Sequence, residues 1–294
     1  MWNGKPKMLV IGSRGFLGRH VMRVAAPELT LIEGNRTTNG QLNEVRIDLE
    51  DKDSVVTAFD QVRPDVVLLL AAHSDIDYCE RYPEDARAVN LRGAEHVAVA
   101  CARTNARLLF ASSGAVFDGR QHGYTEDSLV SPVSVYGETK AEAEKLILAL
   151  LPDAIVVRLA LVIGFAAPPG ANAFLDNLRK RWASGESVAL PVFEQRNPID
   201  AVSCSQFIFE LVNRQKRGIF HIGCTDSISR YHLGLKLASR MGYADCVHPQ
   251  LEPTPGRALR GPNHFLLTGK LRAACAIPIP TCDQVIERCF DGIA

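Results

Sequence analysis

The stretch Met8-Leu9-Val10-Ile11-Gly12-Ser13-Arg14-Gly15-Phe16-Leu17-Gly18 decides the fold of this 294-residue chain. Its apolar beginning, 8–11, is typical of a strand buried within a parallel sheet. Glycines then recur at every third position, and Leu17, Val21 and Val24 follow at helical spacing. The glycine spacing alone is a weak signal. A strand before it and a helix after it together predict a dinucleotide-binding unit.

Each glycine of this loop has its own expected role. Gly12 allows the tight turn, Gly15 the close approach of a pyrophosphate, and Gly18 close packing of the helix on the strand. The helix N-terminus directs free N–H groups and the positive end of its dipole at phosphate. We therefore expect the whole loop to bind cofactor, through Gly12, Ser13, Arg14, Gly15, Phe16, Leu17 and Gly18.

Strand and helix signals alternate outward from this loop through the first 160 residues. The strand-like segments are 29–32, 44–47, 65–72, 107–113 and 154–159, and the helix-like ones include 84–103 and 133–150. Such alternation predicts an α/β fold with a doubly wound parallel (Rossmann) sheet. Ligands of such sheets bind beyond the carboxyl ends of the strands, where Gly12, Asp48, Ala72 and Ser113 all fall.

A Pro/Gly-rich connection, 165–172, marks the expected domain boundary. The sequence predicts an NAD(P)-binding domain over 1–164 and, over 165–294, mainly a smaller C-terminal α/β substrate lobe. A helix is expected near 173–184 and another at 229–241. The strand-like segment 218–223 is expected to rejoin the Rossmann domain, within a returning stretch near 198–223.

A second motif contains residues suited to proton transfer. Tyr136 and Lys140 are four residues apart, on one face of the predicted helix, and Ser113 lies upstream at a strand end. A tyrosine hydroxyl has a pKa near ~10, and a lysine ammonium one turn away is expected to lower it. Because a serine can hold a carbonyl or alcohol oxygen beside that hydroxyl, the three residues favour carbonyl reduction or alcohol oxidation with a nicotinamide.

Composition narrows the class of protein. The 33 basic and 33 acidic residues balance, which favours neither nucleic acid nor an anionic membrane as partner. Apolar stretches stay well below the ~20 residues of a membrane span, and no signal-peptide core follows Met1, so we expect a cytoplasmic location. The eight cysteines form no CxxC pair and no His cluster has zinc spacing. We expect reduced thiols, no metal and no structural disulfide.

With these residues in hand, the chain resembles the extended short-chain dehydrogenase/reductase family, and within it the dTDP-4-dehydrorhamnose reductase branch. The similarity is specific in the first half and looser in the last third. The stretches that carry it are Gly12–Gly18, Asp48-Leu49, 64–73 with Asp77 and Glu80, 88–90, Ser112-Ser113-Gly114-Ala115-Val116-Phe117-Asp118-Gly119, 124–126, Pro132, Tyr136–Lys140, Arg158, Glu194-Gln195, 218–221 and 260–266.

The resemblance implies roles for individual residues. Tyr136 would protonate the nascent alkoxide, Lys140 would bind the nicotinamide ribose, and Ser113 would bind the carbonyl oxygen, with Ser112 the lesser candidate. Further cofactor contacts would come from Asp48, Leu49, Ala71, Ala72, His73 and Arg36. His73 has an equal structural alternative, a hydrogen bond to a nearby loop. Expected substrate residues are Ser74, Ala115, Arg158 and Asn172, and Arg158 could instead form a structural ion pair.

Two positions depart from the branch. Gly114 and Ala115 stand where its reductases carry an acidic and an aromatic residue, which is expected to open the substrate pocket. Gly114 and Ala115 cannot supply the Asp-Glu pair that the related dehydratases need for elimination, which disfavours a dehydratase. Epimerases have a small residue at this position, so an epimerase remains an alternative.

The signals for NAD and NADP conflict. Glu33, expected at the end of the second strand, suits the ribose 2′-OH of NAD. Arg14 and Arg36 suit a 2′-phosphate. We favour NADPH, with NADH as a second cofactor.

The leading hypothesis is an NAD(P)H-dependent reductase of a nucleotide-linked 4-keto-6-deoxysugar. A nucleotide-sugar epimerase, another carbonyl reductase with the same three residues, or a non-catalytic NADP-binding regulatory subunit remain as alternatives. The sequence leaves the oligomeric state open, with a homodimer as one possibility because dimers are common among relatives.

Overall fold

The computed structural model describes residues 4–24, 26–165 and 174–291. Its strands are β1 (Lys7–Ile11), β2 (Thr30–Asn35), β3 (Glu44–Arg46), β4 (Val66–Leu69), β5 (Arg107–Ser113), β6 (Ile155–Leu159), β7 (Val162–Ile163), β8 (Val188–Pro191), β9 (Gln195–Arg196), β10 (Ile199–Asp200), β11 (Gly218–Ile222), β12 (Ile228–Ser229), β13 (Val247–Gln250) and β14 (Asn263–His264).

The helices complete the outline. They are α1 (Phe16–Arg23), α2 (Lys52–Val62), α3 (Ile76–Arg81), α4 (Pro83–Arg87), α5 (Gly93–Thr104), α6 (Val135–Leu150), α7 (Phe174–Ala183), α8 (Ala201–Asn213), α9 (Arg230–Arg240), α10 (Gly269–Ala274) and α11 (Cys282–Phe290). The residues Ala88–Arg92 form a π-helical turn, and Gly114–Val116 and Ala244–Cys246 form 3₁₀ turns.

Seven parallel strands form the main sheet, in the order β11-β6-β5-β4-β1-β2-β3. The apolar run of β1 serves both faces: Met8 and Val10 join one buried cluster, and Leu9 and Ile11 join the other. Strands buried on both faces are the expected result of helical crossovers on each side of the sheet. The predicted Rossmann fold is confirmed.

The C-terminal part adds three small sheets: β7 with β10, β9 between β12 and β14, and β8 with β13. Between them the chain returns to the main sheet, where β11 pairs with β6 at the edge. Trp182 and Leu190 belong to the same apolar cluster as Met8. The small lobe is therefore packed onto one face of the main sheet, while the boundary at residue 164 stays a prediction.

Several element limits differ from the sequence prediction. The helix expected over 84–103 is split, because a π-helical turn separates α4 from α5. Within that turn the Asn90 amide accepts from the backbone N–H of His73 at 2.8 Å and donates to its carbonyl at 3.0 Å. The second strand runs on to Asn35 instead of ending near Glu33. Among the described helices, none is long and apolar enough to cross a bilayer.

Candidate active site

A cleft of about 730 Å³ opens beyond the carboxyl ends of the central strands. The loops after β1, β4, β5 and β6 form one side, and residues of the C-terminal lobe form the other. Its volume suits a small-molecule ligand. The cleft lies where ligands of doubly wound sheets bind.

The glycine loop is packed too tightly for side chains at two of its positions. Gly12 has φ of +92°, and a Cβ there would lie 2.8 Å from the backbone nitrogen of Ala71. A Cβ on Gly18 would lie 2.2 Å from the carbonyl oxygen of Gly12. By contrast, the nearest atom to a Cβ on Gly15 is the Gly12 oxygen, at 3.3 Å. The loop thus offers bare backbone at the start of α1, a cradle that fits a dinucleotide pyrophosphate.

Ser113 and Tyr136 are brought together by the start of α6. Ser134 caps this helix, its hydroxyl accepting from the N–H of Gly137 at 3.2 Å. A Cβ on Gly137 would lie 2.2 Å from the carbonyl oxygen of Ala115, so helix and turn are in close contact. The Ser113 hydroxyl accepts from the Ala115 N–H at 3.2 Å and hydrogen-bonds the Tyr136 hydroxyl.

The titration of these groups differs from the sequence prediction. Burial raises the pKa of Tyr136 to about 12, although its hydrogen bond with Ser113 lowers it. Burial also lowers the pKa of Lys140 to about 8, while the charge of Glu144 raises it. The Lys140 ammonium lies 4.3 Å from the centre of the Phe110 ring. The lowered Tyr136 pKa expected from its spacing to Lys140 is therefore wrong for this state of the protein, because desolvation by burial has the largest effect on that pKa.

Arg158 lies in a buried ion pair. Its Nε donates to Glu144 at 3.1 Å and its Nη2 at 2.8 Å, and Nη1 donates to the carbonyl of Glu126 at 3.2 Å. Both side chains of the pair are at most 5% exposed, and the Ser112 hydroxyl also donates to Glu144. The guanidinium does not line the cleft. These contacts favour the structural ion pair, which anchors α6 to β6, over a role in substrate binding.

Comparison with known proteins places this geometry in a family. The model of the RmlD substrate binding domain matches residues 6–294, nearly the whole chain. A dTDP-4-dehydrorhamnose reductase from Aggregatibacter actinomycetemcomitans is 33% identical over 238 residues, covering 79% of this chain and 78% of that one. The chain belongs to this family, the dTDP-4-dehydrorhamnose reductase-like branch of the extended short-chain dehydrogenase/reductases.

Two further proteins are similar to this chain. The beta subunit of methionine adenosyltransferase 2 from Xenopus tropicalis is 26% identical over 237 residues, 79% of this chain and 71% of that one. The crystal structure of dTDP-4-dehydrorhamnose reductase from Bacillus anthracis in complex with NADP has a TM-score of 0.88 at 22% identity, covering 97% of this chain and 99% of that one. At that identity the structural match establishes the fold alone.

Most residues expected from the motifs lie around the cleft. Those that line it are Gly12, Arg14, Gly15, Phe16, Leu17, Gly18, Ala71, Ala72, Ser74, Ser113, Ala115, Tyr136 and Lys140. Their roles in binding and catalysis stay predictions. Asn172 lies outside the described residues.

Five expected cofactor residues do not line the cleft in this reductase-like fold. The Ser13 hydroxyl donates to Glu33 at 2.8 Å, and exposed Arg36 lies 3.7 Å from Glu50. Leu49 is in the core, Asp48 accepts from the N–H of Glu50 at 3.2 Å, and the His73 ring packs on Tyr78 at 4.9 Å. The His73 ring therefore shows a contact with Tyr78 rather than the loop hydrogen bond considered as its alternative, and its place beside the cofactor stays a prediction.

The acidic residue expected at the end of the second strand is displaced. Glu33 is followed by two more residues of β2, so Asn35 ends the strand next to Arg36. Arg14 pairs with Glu44 and donates to the Thr37 carbonyl at 2.8 Å. The carboxylate of Glu33 is thus directed into the glycine loop, and the strand end carries no acidic side chain.

The lobe supplies cleft residues for which no role was expected: Glu194, Arg196, Arg230, Arg260 and His264. Arg260 binds Asp77 with both terminal nitrogens, at 3.1 and 2.8 Å, across 183 positions of sequence. The pair holds the pKa of Asp77 down to about 2. The sequence carried no local signal for this pair, because Asp77 and Arg260 are 183 positions apart.

The small residues after Ser113 leave less room than expected. A Cβ on Gly114 would lie 3.5 Å from His264 Cβ and equally close to Leu266. His264 is buried, and burial lowers its pKa to about 3, so it is neutral at physiological pH. The lobe therefore fills the space above Gly114, while Ala115 remains on the cleft wall.

A further cluster lies outside the cleft residues. The thiols of Cys224 and Cys282 are 3.2 Å apart, and both donate to the carbonyl of Asp226. Among the described residues, these three form the group whose donor atoms could hold a metal ion. The sequence could not show it, because Cys224 and Cys282 are 58 positions apart. The absence of metal and disulfide stays a prediction.

Proposed function

We propose that this chain is an NAD(P)H-dependent reductase of a nucleotide-linked 4-keto-6-deoxysugar. The observation that carries the proposal is the convergence of Ser113, Tyr136 and Lys140 on one cleft with the glycine loop. Membership of a nucleotide-sugar reductase family supports the substrate class, and the relative named dTDP-4-dehydrorhamnose reductase supports the sugar.

The bare backbone of Gly15 and the N-terminus of α1 would hold the dinucleotide pyrophosphate. The bound nicotinamide supplies a hydride to the sugar carbonyl. Ser113 orients the carbonyl oxygen, and Tyr136, whose raised pKa keeps it protonated, delivers its proton to that oxygen as charge develops. Lys140 supplies the positive charge that offsets the resulting phenolate. NADPH is the preferred form, because the end of β2 presents Asn35 rather than a carboxylate and Arg14 lines the cleft beside it.

The test is oxidation of NADPH and NADH with a panel of nucleotide-linked 4-keto-6-deoxysugars, generated in situ by a dehydratase. The Tyr136→Phe variant serves as the matched control. We expect turnover with at least one sugar, and a loss of roughly 100-fold or more in the variant. NADPH affinity should be retained. Equal turnover by both proteins would refute the role of Tyr136.

A non-catalytic cofactor-binding subunit is the second candidate. The 26% identity with the beta subunit of methionine adenosyltransferase 2 favours it, as does the loss of the acidic and aromatic residues at 114 and 115. Tight NADPH binding without oxidation by any sugar, together with co-purification of a methionine adenosyltransferase, would favour this candidate. Interconversion of sugars without net NADPH oxidation would indicate an epimerase instead.

A further inference from the structure

Two of the eight cysteines face each other where the main sheet meets the C-terminal helix. Cys224 follows β11, and Cys282 is the first residue of α11. Their sulfur atoms are 3.2 Å apart, and all eight thiols are free in this structure. Both residues are buried, at 0% and 3% exposure. The two sulfur atoms are therefore in contact without a covalent bond.

The backbone on the β11 side of this contact is fixed. The N–H of Cys224 donates to the carbonyl of Pro198 at 3.1 Å, and the carbonyl of Cys224 accepts from the side-chain amide of Asn197 at 3.1 Å. The same amide donates to the carbonyl of Leu266 at 2.9 Å. A Cβ on Gly223 would lie 2.4 Å from the nitrogen of that amide, so the chain passes close to it. These contacts position Cys224 without involving its thiol.

The backbone on the α11 side is fixed as well. Thr281 and Gln284 form a capping box, in which the side chain of Gln284 accepts from the N–H of Thr281 at 2.9 Å. The N–H of Cys282 donates to the carboxylate of Asp226 at 2.8 Å. Because Asp226 lies two residues after Cys224, the helix start and the turn after β11 are joined beside the two sulfur atoms.

This arrangement fits a disulfide better than a metal ion. An S–S bond is about 2.05 Å long, so the two sulfur atoms need to approach by roughly 1.1 Å, mainly through side-chain rotation. Tetrahedral zinc would instead separate two thiolates to about 3.8 Å and needs four ligands. The cluster offers Cys224, Cys282 and Asp226, and the Asp226 carboxylate already accepts from the N–H of Cys282 and the hydroxyl of Thr225.

We propose that Cys224 and Cys282 form a site of reversible oxidation, at which hydrogen peroxide converts the two thiols into a disulfide within the native fold. First, the sulfur of Cys282 attacks one peroxide oxygen and the O–O bond breaks, which gives a sulfenic acid and one water. The sulfur of Cys224 then attacks that of Cys282, the S–O bond breaks, and a second water leaves. The thiols lose two electrons and the peroxide gains them. The inference is independent of the proposed function.

The bond would link the edge strand of the main sheet to the C-terminal helix across 58 positions of sequence. A cross-link over so long a loop restricts the unfolded chain and stabilises the fold. Neither cysteine lines the cleft, so cofactor binding should be unaffected. The reaction should be slow, because the hydrogen bond with Cys224 and burial raise the pKa of Cys282, and the thiolate is the reactive form.

The experiment treats the folded protein with hydrogen peroxide, alkylates the remaining thiols and maps tryptic peptides by mass spectrometry. We expect residues 218–230, which contain Cys224, to be linked to residues 273–288, and dithiothreitol to release them. The second peptide also contains Cys275, seven positions before Cys282. Cys275→Ser is therefore the matched control and should keep the link, whereas Cys224→Ser and Cys282→Ser should each lose it.

Two further measurements test whether the disulfide fits the native fold. The melting temperature of the oxidised protein should exceed that of the reduced protein by about 5 °C or more. Its Kd for NADPH should stay within twofold. A melting temperature lower than that of the reduced protein would show that the bond distorts the fold and would overturn the inference.

The peptide map of the unmodified protein decides the matter even if a serine variant fails to fold. The inference is overturned if the half-buried Cys246 and Cys275 are oxidised while Cys224 and Cys282 remain alkylated. A link that forms only in urea would contradict it equally. Stoichiometric zinc in the untreated protein, with alkylation of Cys224 and Cys282 blocked until EDTA removes the metal, would show a metal site instead.

Discussion

Arg158 on β6 and Glu144 on α6 form a buried ion pair with two parallel hydrogen bonds, one turn of helix beyond Lys140. The same carboxylate accepts from the hydroxyl of Ser112, the neighbour of Ser113. This one interaction ties the helix that carries Tyr136 and Lys140 to the two strands beneath it.

Breaking the pair on one side should destabilise the fold. In Arg158→Met the carboxylate of Glu144 stays buried without its partner, which is expected to cost about 3–5 kcal/mol of unfolding free energy. Urea denaturation measures the loss. The double variant Arg158→Met/Glu144→Leu should recover much of it, because both charges are then removed. A double variant no more stable than Arg158→Met would contradict this account.

Gly137→Ala should impair the chemical step rather than cofactor binding. Its Cβ would meet the carbonyl oxygen of Ala115 at 2.2 Å, so helix and turn must separate and Tyr136 must shift relative to Ser113. Small displacements of catalytic groups can lower rates by ~100-fold, and we expect kcat to fall at least tenfold. NADPH affinity should be unchanged in calorimetry. Gly269→Ala, with nothing within 4 Å of its Cβ, is the control and should retain full activity.

Lys140 should make stability depend on pH in the alkaline range. Its pKa is about 8 in the folded protein against 10.5 for the free side chain. Between these two pKa values the unfolded chain binds more protons than the folded protein, so the unfolding free energy rises with pH. Below pH 8 the buried ammonium destabilises the folded protein by its full amount. Relative to that of Lys140→Met, the unfolding free energy of the unmodified protein should increase by at most about 2 kcal/mol from pH 7 to 9.5.

Urea denaturation of both proteins at several pH values provides this measurement. Tyr136, with its pKa near 12, stays protonated in the folded protein throughout the range, and other tyrosines titrate alike in the two proteins. A stability difference that does not change with pH would show that the Lys140 ammonium is not desolvated.

Arg14 should distinguish NADPH from NADH. It lines the cleft beside the end of β2, whereas Arg36 is exposed and lies outside the lining. For Arg14→Gln we expect the Kd of NADPH to rise about tenfold and that of NADH to change less than twofold, since a charge-assisted bond to a 2′-phosphate is lost. Arg36→Gln should have the smaller effect. Equal losses for both cofactors would instead indicate a damaged glycine loop.

The sequence determined those features that depend on neighbouring residues. The apolar run before Gly12, the limits of β5 and the placement of Tyr136 and Lys140 near the start of α6 all follow from local spacing. Features that depend on residues far apart in the sequence could not be predicted from it. Asp77 and Arg260, or Cys224 and Cys282, meet only once the lobe has folded. For Arg158, local pattern left two roles open, and the burial of Glu144 on the opposing helix favours the structural one. The prediction of a lowered Tyr136 pKa was wrong because residue spacing gives no information about desolvation.

The path of the chain limits how this molecule can be divided. It leaves the main sheet after β6, pairs β7 with β10, supplies β11 to the sheet edge, and departs again for β12. A fragment cut at residue 164 would therefore lack an edge strand and expose the flank of β6. Exchanging substrate lobes between relatives would require three junctions, near residues 163, 199 and 222, because the lobe is built from two separate segments of the chain.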